Sequence, residues 1–490
     1  MPLKWHRPAG HGDARVIIRS DSLSRELDID AVIEGRRRLS PAKALRLFHE
    51  ASIHDLGRWA SAVAQRLHGA TRRTYVIDRN INYTNVCSAN CTFCVFKRDL
   101  GDEDAYTLST PQLHEKIRQL VDIGGTQVLL QGGMHPDLDI GFYEDMLRGM
   151  KAAFPSVHIH GFSPPEFVEF VAVFEVEGFP RTRPNHGHEL AHDAWLDKLE
   201  AIMRRLMAAG LDSIPGGGGE IFAEPVRRRI GLGKATARQW LDVMSCAHRL
   251  GMRTSATMMF GHIESVADRI DHVSQVRAAQ DVAIKNTWPG RYVSFISWPF
   301  QRENTPLGRL SLWDSDSGEL FPGEVPGHEL AGKRLRMAGA TDYLRTQAIS
   351  RLMLDNVHSI GSSWVTMGPK IGQLGLFYGA NDMGSVMMEE NVVSAAGTTY
   401  CLNEPVLCHL VRDAGFVPAQ RDNQYRLLKI HDGPDAPDLR VKDWSRHRAG
   451  RLHVETEPGD EGGTGSGTVP MSVAAGASNG DRPSAATEDA

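Results

Sequence analysis

Apolar side chains recur along this chain with two alternating periods. Leu45, Leu47, Phe48 and Ile53 mark a partly apolar helical face from about Pro41, and Trp59, Val63 and Leu67 mark a second helix. Arg73 to Ile81, R-T-Y-V-I-D-R-N-I, is rich in β-branched and aromatic residues and predicts a first strand. Beyond it, strand-like and helix-like segments take turns. Leu113, Ile117, Leu120 and Val121 share one helical face behind Pro111, which suits a first turn capped by Ser109 or Thr110. Short strands are predicted at 126–131, 157–162, 211–214, 253–259, 292–296 and 362–367. Helices are predicted over 141–153, 193–209, 236–250, 265–280 and 340–355. This alternation argues for an α/β chain folded as a TIM-type (β/α) barrel, complete or partial, around a parallel sheet.

The rhythm also divides the chain. Residues 1–72 read as a partly helical N-terminal extension and 73–400 as the barrel core. Long stretches rich in Pro, Gly and His or Asp, near 170–192 and 302–335, read as insertions. Residues 401–454 read as a helix and strand segment packed on the barrel. Residues 455–490 are Gly, Ser, Ala, Thr, Pro and acidic residues with almost no large apolar side chains, so that tail is expected to be disordered.

Composition narrows the function classes. Of 490 residues, 41% are hydrophobic and 23% charged, which permits a sizeable core, and the net charge of -5 gives no footprint for nucleic acid. There is no apolar run long enough for a transmembrane helix, and the N-terminus lacks the apolar region of a secretory signal. Half of the six cysteines fall in one short window, which indicates a metal or cluster site in a reducing, cytoplasmic compartment.

That window is Cys87, Cys91 and Cys94, spaced C-x3-C-x2-C directly after the first predicted strand. Three thiolates are one short of a closed zinc site or a fully ligated iron–sulfur cluster. A [4Fe–4S] cluster held by three thiolates leaves one iron open to a substrate or cofactor. The competing reading is a zinc knuckle with His or Asp as fourth ligand. Gln131-Gly132-Gly133 ends the second strand, where glycines let backbone groups approach a ligand. Ile214 to Glu220, I-P-G-G-G-G-E, follows another strand; it lacks the Lys-Ser/Thr of a phosphate-binding loop. His188, Glu189 and His192 match H-E-x-x-H, the zinc-metalloprotease helix, but that reading leaves the cysteines unexplained. His158 and His160 share one face of a strand, and Ser163, Glu166, His262 and Glu264 follow strand ends, where barrel enzymes carry active-site groups. Cys246, Cys401 and Cys408 read as small buried hydrophobes.

The cysteine spacing, with Phe93 before the last cysteine, resembles the signature of radical S-adenosylmethionine (SAM) enzymes. Further runs are more specific: V-I-D-R-N-I-N-Y-T-N-V-C (76–87), Q-V-L-L-Q-G-G-M-H-P-D (127–137), H-I-H-G-F-S-P-P-E (158–166), A-G-L-D-S-I-P-G-G-G-G-E-I (209–221), M-M-F-G-H-I-E (258–264) and G-A-N-D-M-G-S-V-M-M-E-E-N-V-V-S-A-A-G (379–397). Together they resemble the futalosine-pathway radical enzymes of menaquinone synthesis. D-R-N-I-N-Y-T-N and M-G-S-V-M-M-E-E-N-V-V-S-A-A-G are similar to the cyclic dehypoxanthinyl futalosine synthases. Aminofutalosine synthases and deazaflavin (FO) synthase subunits share the barrel but usually differ in these two runs. Cys94-Val95-Phe96-Lys97-Arg98 departs from the family's usual C-A-F-Y-R.

The resemblance implies a [4Fe–4S] cluster on Cys87, Cys91 and Cys94, whose electron cleaves SAM to a 5′-deoxyadenosyl radical. It implies Phe93, Gln131, Gly132, Gly133, Gly217 and Glu220 on the cofactor side. His160, Ser163, Glu264, Asn381 and Asp382 would face the substrate, dehypoxanthine futalosine, and Glu166 or His262 would take the proton lost on cyclisation. A reducing partner such as flavodoxin or ferredoxin is implied as electron donor.

Overall fold

The computed structural model describes residues 20–179, 181, 190–314, 317–398, 400–433 and 437. The tail expected to be disordered lies outside the described residues.

The strands are β1 (Arg72–Val76), β2 (Asp78–Asn82), β3 (Asn90–Cys91), β4 (Gln127–Gln131), β5 (His158–Gly161), β6 (Gly231–Leu232), β7 (Arg253–Phe260), β8 (Arg291–Pro299), β9 (Ser359–Gly361), β10 (Asp382–Ser385), β11 (Val417–Arg421) and β12 (Leu427–Ile430). The predicted first strand is thus broken at Ile77, because its two halves take different partners along one edge. β1 pairs with β11, and β2 pairs with β4. On the other edge β1 pairs with β10. The order continues β10, β9, β8, β7 on that side and β2, β4, β5 on the other.

The ring closes through Ser213-Ile214. Ser213 bridges His160 of β5 in parallel, and Ile214 O accepts from Ser255 N of β7. The strand predicted at 211–214 is therefore a single bridge, yet it closes a (β/α) barrel of TIM type. The strand predicted at 362–367 is a correction. β9 ends at Gly361, and Trp364–Met367 is a short helix whose entry is fixed by Tyr343 Oη accepting from Ser363 N at 2.8 Å.

Helices follow the strands with explicit start signals. Capping boxes join Ser109 to Gln112, Ser163 to Glu166, Thr236 to Gln239 and Ser265 to Asp268. Helix Pro164–Val173, buried along its whole length, falls partly within the stretch read as an insertion. It is apolar almost throughout, so it carries no amphipathic period to reveal it. Within 302–335 the described residues hold two 3-10 turns, and Leu307 N donates to Thr92 O, tying this stretch to the cysteine loop.

The barrel's two ends differ. β11 and the turn after it bring Arg421, Asn423 and Tyr425 against the end where the strands begin. Arg421 pairs with Asp382 (2.5 and 2.8 Å), and Asn423 donates to Gln127 (2.6 Å). The cysteine loop leaves β2 at the opposite end. Helices Pro41–Glu50 and Ile53–His68 pack on barrel helices Val266–Lys285 and Ala340–Met353.

Candidate active site

The cysteine loop hangs from backbone bonds on several sides. Cys87 N donates to Arg98 O (3.0 Å), Ser88 N to Met134 O (2.9 Å) and Thr92 N to Ile230 O (2.8 Å). β3, which carries Cys91, pairs antiparallel with β6. All three cysteines are half-buried and free. Burial pushes the Cys91 thiol up to about 12, while the Lys234 ammonium pulls the other way. Burial also raises Cys87, and Cys94 adds repulsion, so the three sulfurs feel one another. Among the described residues no three His, Cys, Asp or Glu side chains already converge on one ion. A cluster asks for something else, since each thiolate binds its own iron at a corner. Three thiols on one well-anchored loop, beside a buried cation, fit that demand.

Gly132 and Gly133 pack against this loop. A Cβ at Gly133 would lie 2.0 Å from Val86 O, and one at Gly132 would lie 2.6 Å from the Tyr83 ring. Contact with the cysteine loop is thus sufficient reason for both glycines. Glu166 ties the turn down. Its Oε1 accepts from Tyr83 Oη (2.8 Å) and Gly132 N (3.1 Å), and its Oε2 from Ser163 N (2.6 Å) and Ser163 Oγ (2.7 Å). Burial raises its carboxyl to about 7 despite these bonds. Every Glu166 oxygen is engaged within the protein, so its evident work is to clamp helix, turn and loop together.

The Gly216–Glu220 loop lies against the next strand. Gly216 approaches the Ala256 backbone and Gly219 the Thr257 carbonyl so closely that a Cβ would clash at 2.8 and 2.4 Å, and a Cβ at Gly217 would meet Gln131 Nε2 at 2.4 Å. Arg227, which the sequence reading missed, holds this loop by donating to Gly218 O (2.8 Å) and Gly219 O (2.9 Å). Glu220 Oε1 pairs with Lys234 at 2.7 Å, and the Lys234 ammonium sits 4.8 Å from the Phe93 ring centroid. Glu220 Oε2 is buried with no hydrogen-bond partner among the described residues. A buried acceptor left open beside the cysteines suits a cofactor that brings N–H or O–H donors.

The remaining predicted residues fall in three places. His160 lies in the barrel wall, 2.6 Å from Ser213 Oγ, and Ser163 serves as a helix cap. His262 and Glu264 lie just past β7, fully buried. Glu264 accepts from Gly261 N (2.7 Å), His262 N (2.9 Å) and Arg269 Nε (2.7 Å). Burial alone would raise the Glu264 carboxyl; His262 and Arg269 outweigh it and hold it at about 2. Asn381 and Asp382 lie at the other end. Asp382 is level with Thr74, and its oxygens are taken by Arg421, Thr74 and Gly384 N. Asn381 is occupied by Arg351, Ile360 N and Ser359. The structure thus separates these two from the cysteine loop, because Thr74 precedes the strand end at Asn82 by most of the barrel's height. His188 and Glu189 lie outside the described residues; His192 opens helix His192–Ala209 with its ring 3.8 Å from Asp242.

The chain after β10 climbs the wall that β2 forms. Arg79 Nε pairs with Glu389 at 2.7 Å, Asn80 Nδ2 donates to Glu390 at 3.1 Å, and Asn391 Nδ2 donates to Asn82 Oδ1 at 3.0 Å. Polar residues at alternate positions of a strand buried on both faces were the available signal for these contacts.

Comparison with known proteins agrees with this geometry. The radical SAM superfamily model matches residues 81–276, and the CofH/MqnC C-terminal region matches 329–433. The cyclic dehypoxanthine futalosine synthase of Halalkalibacterium halodurans is 37% identical over 84% of this chain and 98% of its own. The 5-amino-6-(D-ribitylamino)uracil–L-tyrosine 4-hydroxyphenyl transferase of Methanopyrus kandleri is 34% identical over 80% of this chain and 91% of its own. Methylornithine synthase superposes with a TM-score of 0.54 at 16% identity, covering 80% of this chain and 97% of that one, which is a likeness of fold. The chain therefore belongs to the radical SAM superfamily and, within it, to the family of the cyclic dehypoxanthine futalosine synthases.

Proposed function

We propose that this enzyme converts dehypoxanthine futalosine to its cyclic product in menaquinone synthesis, by removing the C4′ hydrogen of the ribose and closing the sugar onto the benzoate ring. The observation that carries this reading is the contact between its two most telling runs: Arg79, Asn80 and Asn82 meet Glu389, Glu390 and Asn391 side by side on one barrel wall. Cys87, Cys91 and Cys94 would hold the cluster, with Phe93, Gln131, Gly132, Gly133, Gly217 and Glu220 on the SAM side. When bound, cluster and SAM supply the hydrogen-abstracting radical. The chain itself binds and orients the sugar, keeps water out and receives the proton that the cyclised ring loses together with one electron, which the cluster, when bound, would take back. Glu166, clamped but with its carboxyl raised by burial to about 7, and His262 are the candidates for that proton. An electron donor of the flavodoxin or ferredoxin type completes the reaction.

A substrate comparison tests this. Anaerobically reconstituted enzyme is expected to consume dehypoxanthine futalosine and form 5′-deoxyadenosine. Consumption of 3-[(1-carboxyvinyl)oxy]benzoate instead would make it an aminofutalosine synthase. Turnover of tyrosine with 5-amino-6-(D-ribitylamino)uracil would make it a 4-hydroxyphenyl transferase.

Glu166 yields a second prediction. Glu166→Gln keeps an oxygen for the Ser163 cap but sets an amide donor against the Gly132 N–H. The expected loss is about 1.5–3 kcal/mol in unfolding free energy, with a several-fold higher KM for SAM. Unchanged SAM affinity with the same loss of stability would show that the clamp serves the fold alone.

A further inference from the structure

The barrel wall holds two hydrogen-bond acceptors that none of the described residues satisfies. Asn80 is 4% exposed and Asn391 1%, yet the side-chain oxygen of each is buried without a partner. Their orientation is fixed by chemistry. Asn80 Nδ2 faces the Glu390 carboxylate at 3.1 Å, and Asn391 Nδ2 faces Glu389 Oε1 at 3.0 Å. A carboxylate accepts only, so the amide nitrogen must turn toward it and the oxygen must turn away. Asn82 joins Asn391 to the end of β4: its Oδ1 accepts from Asn391, and its Nδ2 donates to Gln131 O at 3.2 Å.

Asn80 and Asn82 face the barrel's inside, and Asn391 meets Asn82 from the neighbouring edge. Asn80 and Asn82 are two apart on β2 and share one face. Arg79, between them, points the other way, to Lys116 O and Gln119 on the outer helix Thr110–Asp122. Asn82 is also the last residue of β2, immediately before the run that carries the cysteines. An acceptor buried unmatched is destabilising, a cost that a bound donor would remove.

We infer that Asn80 and Asn391 form an acceptor subsite for ribose hydroxyls, which docks the sugar end of the substrate on this wall. The inference rests on the function proposed above and adds which end of the substrate goes where. Hydroxyls are the fitting donors because they are neutral. A benzoate carboxylate brings no donor to an amide oxygen, so this wall suits the sugar end and not that one.

The test is equilibrium binding to the reconstituted enzyme with SAM but no reductant, so that nothing turns over. The probes are dehypoxanthine futalosine and analogues each lacking one ribose hydroxyl. Wild type is expected to bind at least one deoxy analogue about fivefold more weakly than the full substrate. Asn80→Ala and Asn391→Ala are expected to bind the full substrate about fivefold more weakly, with no further loss on that same analogue. Ligand-free melting temperatures are measured alongside, because each substitution removes the amide's bonds to Glu390, or to Glu389 and Asn82, together with its open oxygen; the comparison of sugars on wild type does not depend on them. Wild type binding all the sugars equally would overturn the subsite without any variant having to fold. Variants that keep wild-type affinity would also overturn it, as water alone would then serve the two oxygens, while the proposed function would stand. Wild type that binds no dehypoxanthine futalosine would remove both.

Discussion

Cys91→Ala is expected to abolish the brown iron–sulfur chromophore and, with it, cleavage of SAM. The reason is the absence of a spare ligand. With three thiolates for a four-iron cluster, one position is already given to the cofactor, and losing a second leaves two protein anchors. Cys91 is also the cysteine set into a strand pair, β3 with β6, so no neighbouring thiol can swing into its place without breaking that pairing. Cys401, half-buried and far along the chain, is the control: Cys401→Ala should keep chromophore and turnover. Iron and sulfide analysis with the visible spectrum after anaerobic reconstitution reads the outcome. A full chromophore in the Cys91, Cys87 and Cys94 single variants alike would sink the cluster assignment.

Asp382→Ala is expected to be the most damaging change remote from the cysteines, and to act on stability. Asp382 is 1% exposed and holds Arg421 through two bonds at the barrel's closed end. Removing it leaves a buried guanidinium unpaired, at a cost of about 3–5 kcal/mol. That is a large share of a typical domain's stability of about 5–15 kcal/mol. Denaturant unfolding would show the loss, and the double variant Asp382→Leu with Arg421→Met should recover much of it, because paired apolar side chains leave no charge behind. Normal stability with a raised KM for the substrate would instead return Asp382 to the substrate side, where the sequence reading had put it.

The contrast between these two residues shows what kind of information each level holds. Cys87, Cys91 and Cys94 are close in sequence, and ligand chemistry depends on spacing, so the sequence alone could propose them as cluster ligands and determined the superfamily and a barrel of alternating strands and helices. Capping boxes such as Ser163 with Glu166 are equally local. Asp382 follows a glycine-containing turn before a strand, a setting that suits a ligand residue. Only the register of β10 with β1 puts it at Thr74, beside Arg421 and away from the cysteines. Lys234 and Arg227 carry no motif of their own, and the run that holds Glu389 and Glu390 does not say what they touch; all four matter because the fold sets them against Glu220, the glycine loop, Arg79 and Asn80. The open oxygens of Asn80 and Asn391 are the extreme case. Whether a polar atom has a partner is decided by residues some three hundred positions away, and no local pattern encodes that distance. Sequence alone determined which chemistry this chain performs. Tertiary structure decided which polar groups are spent on holding the barrel and which are left free to meet a substrate.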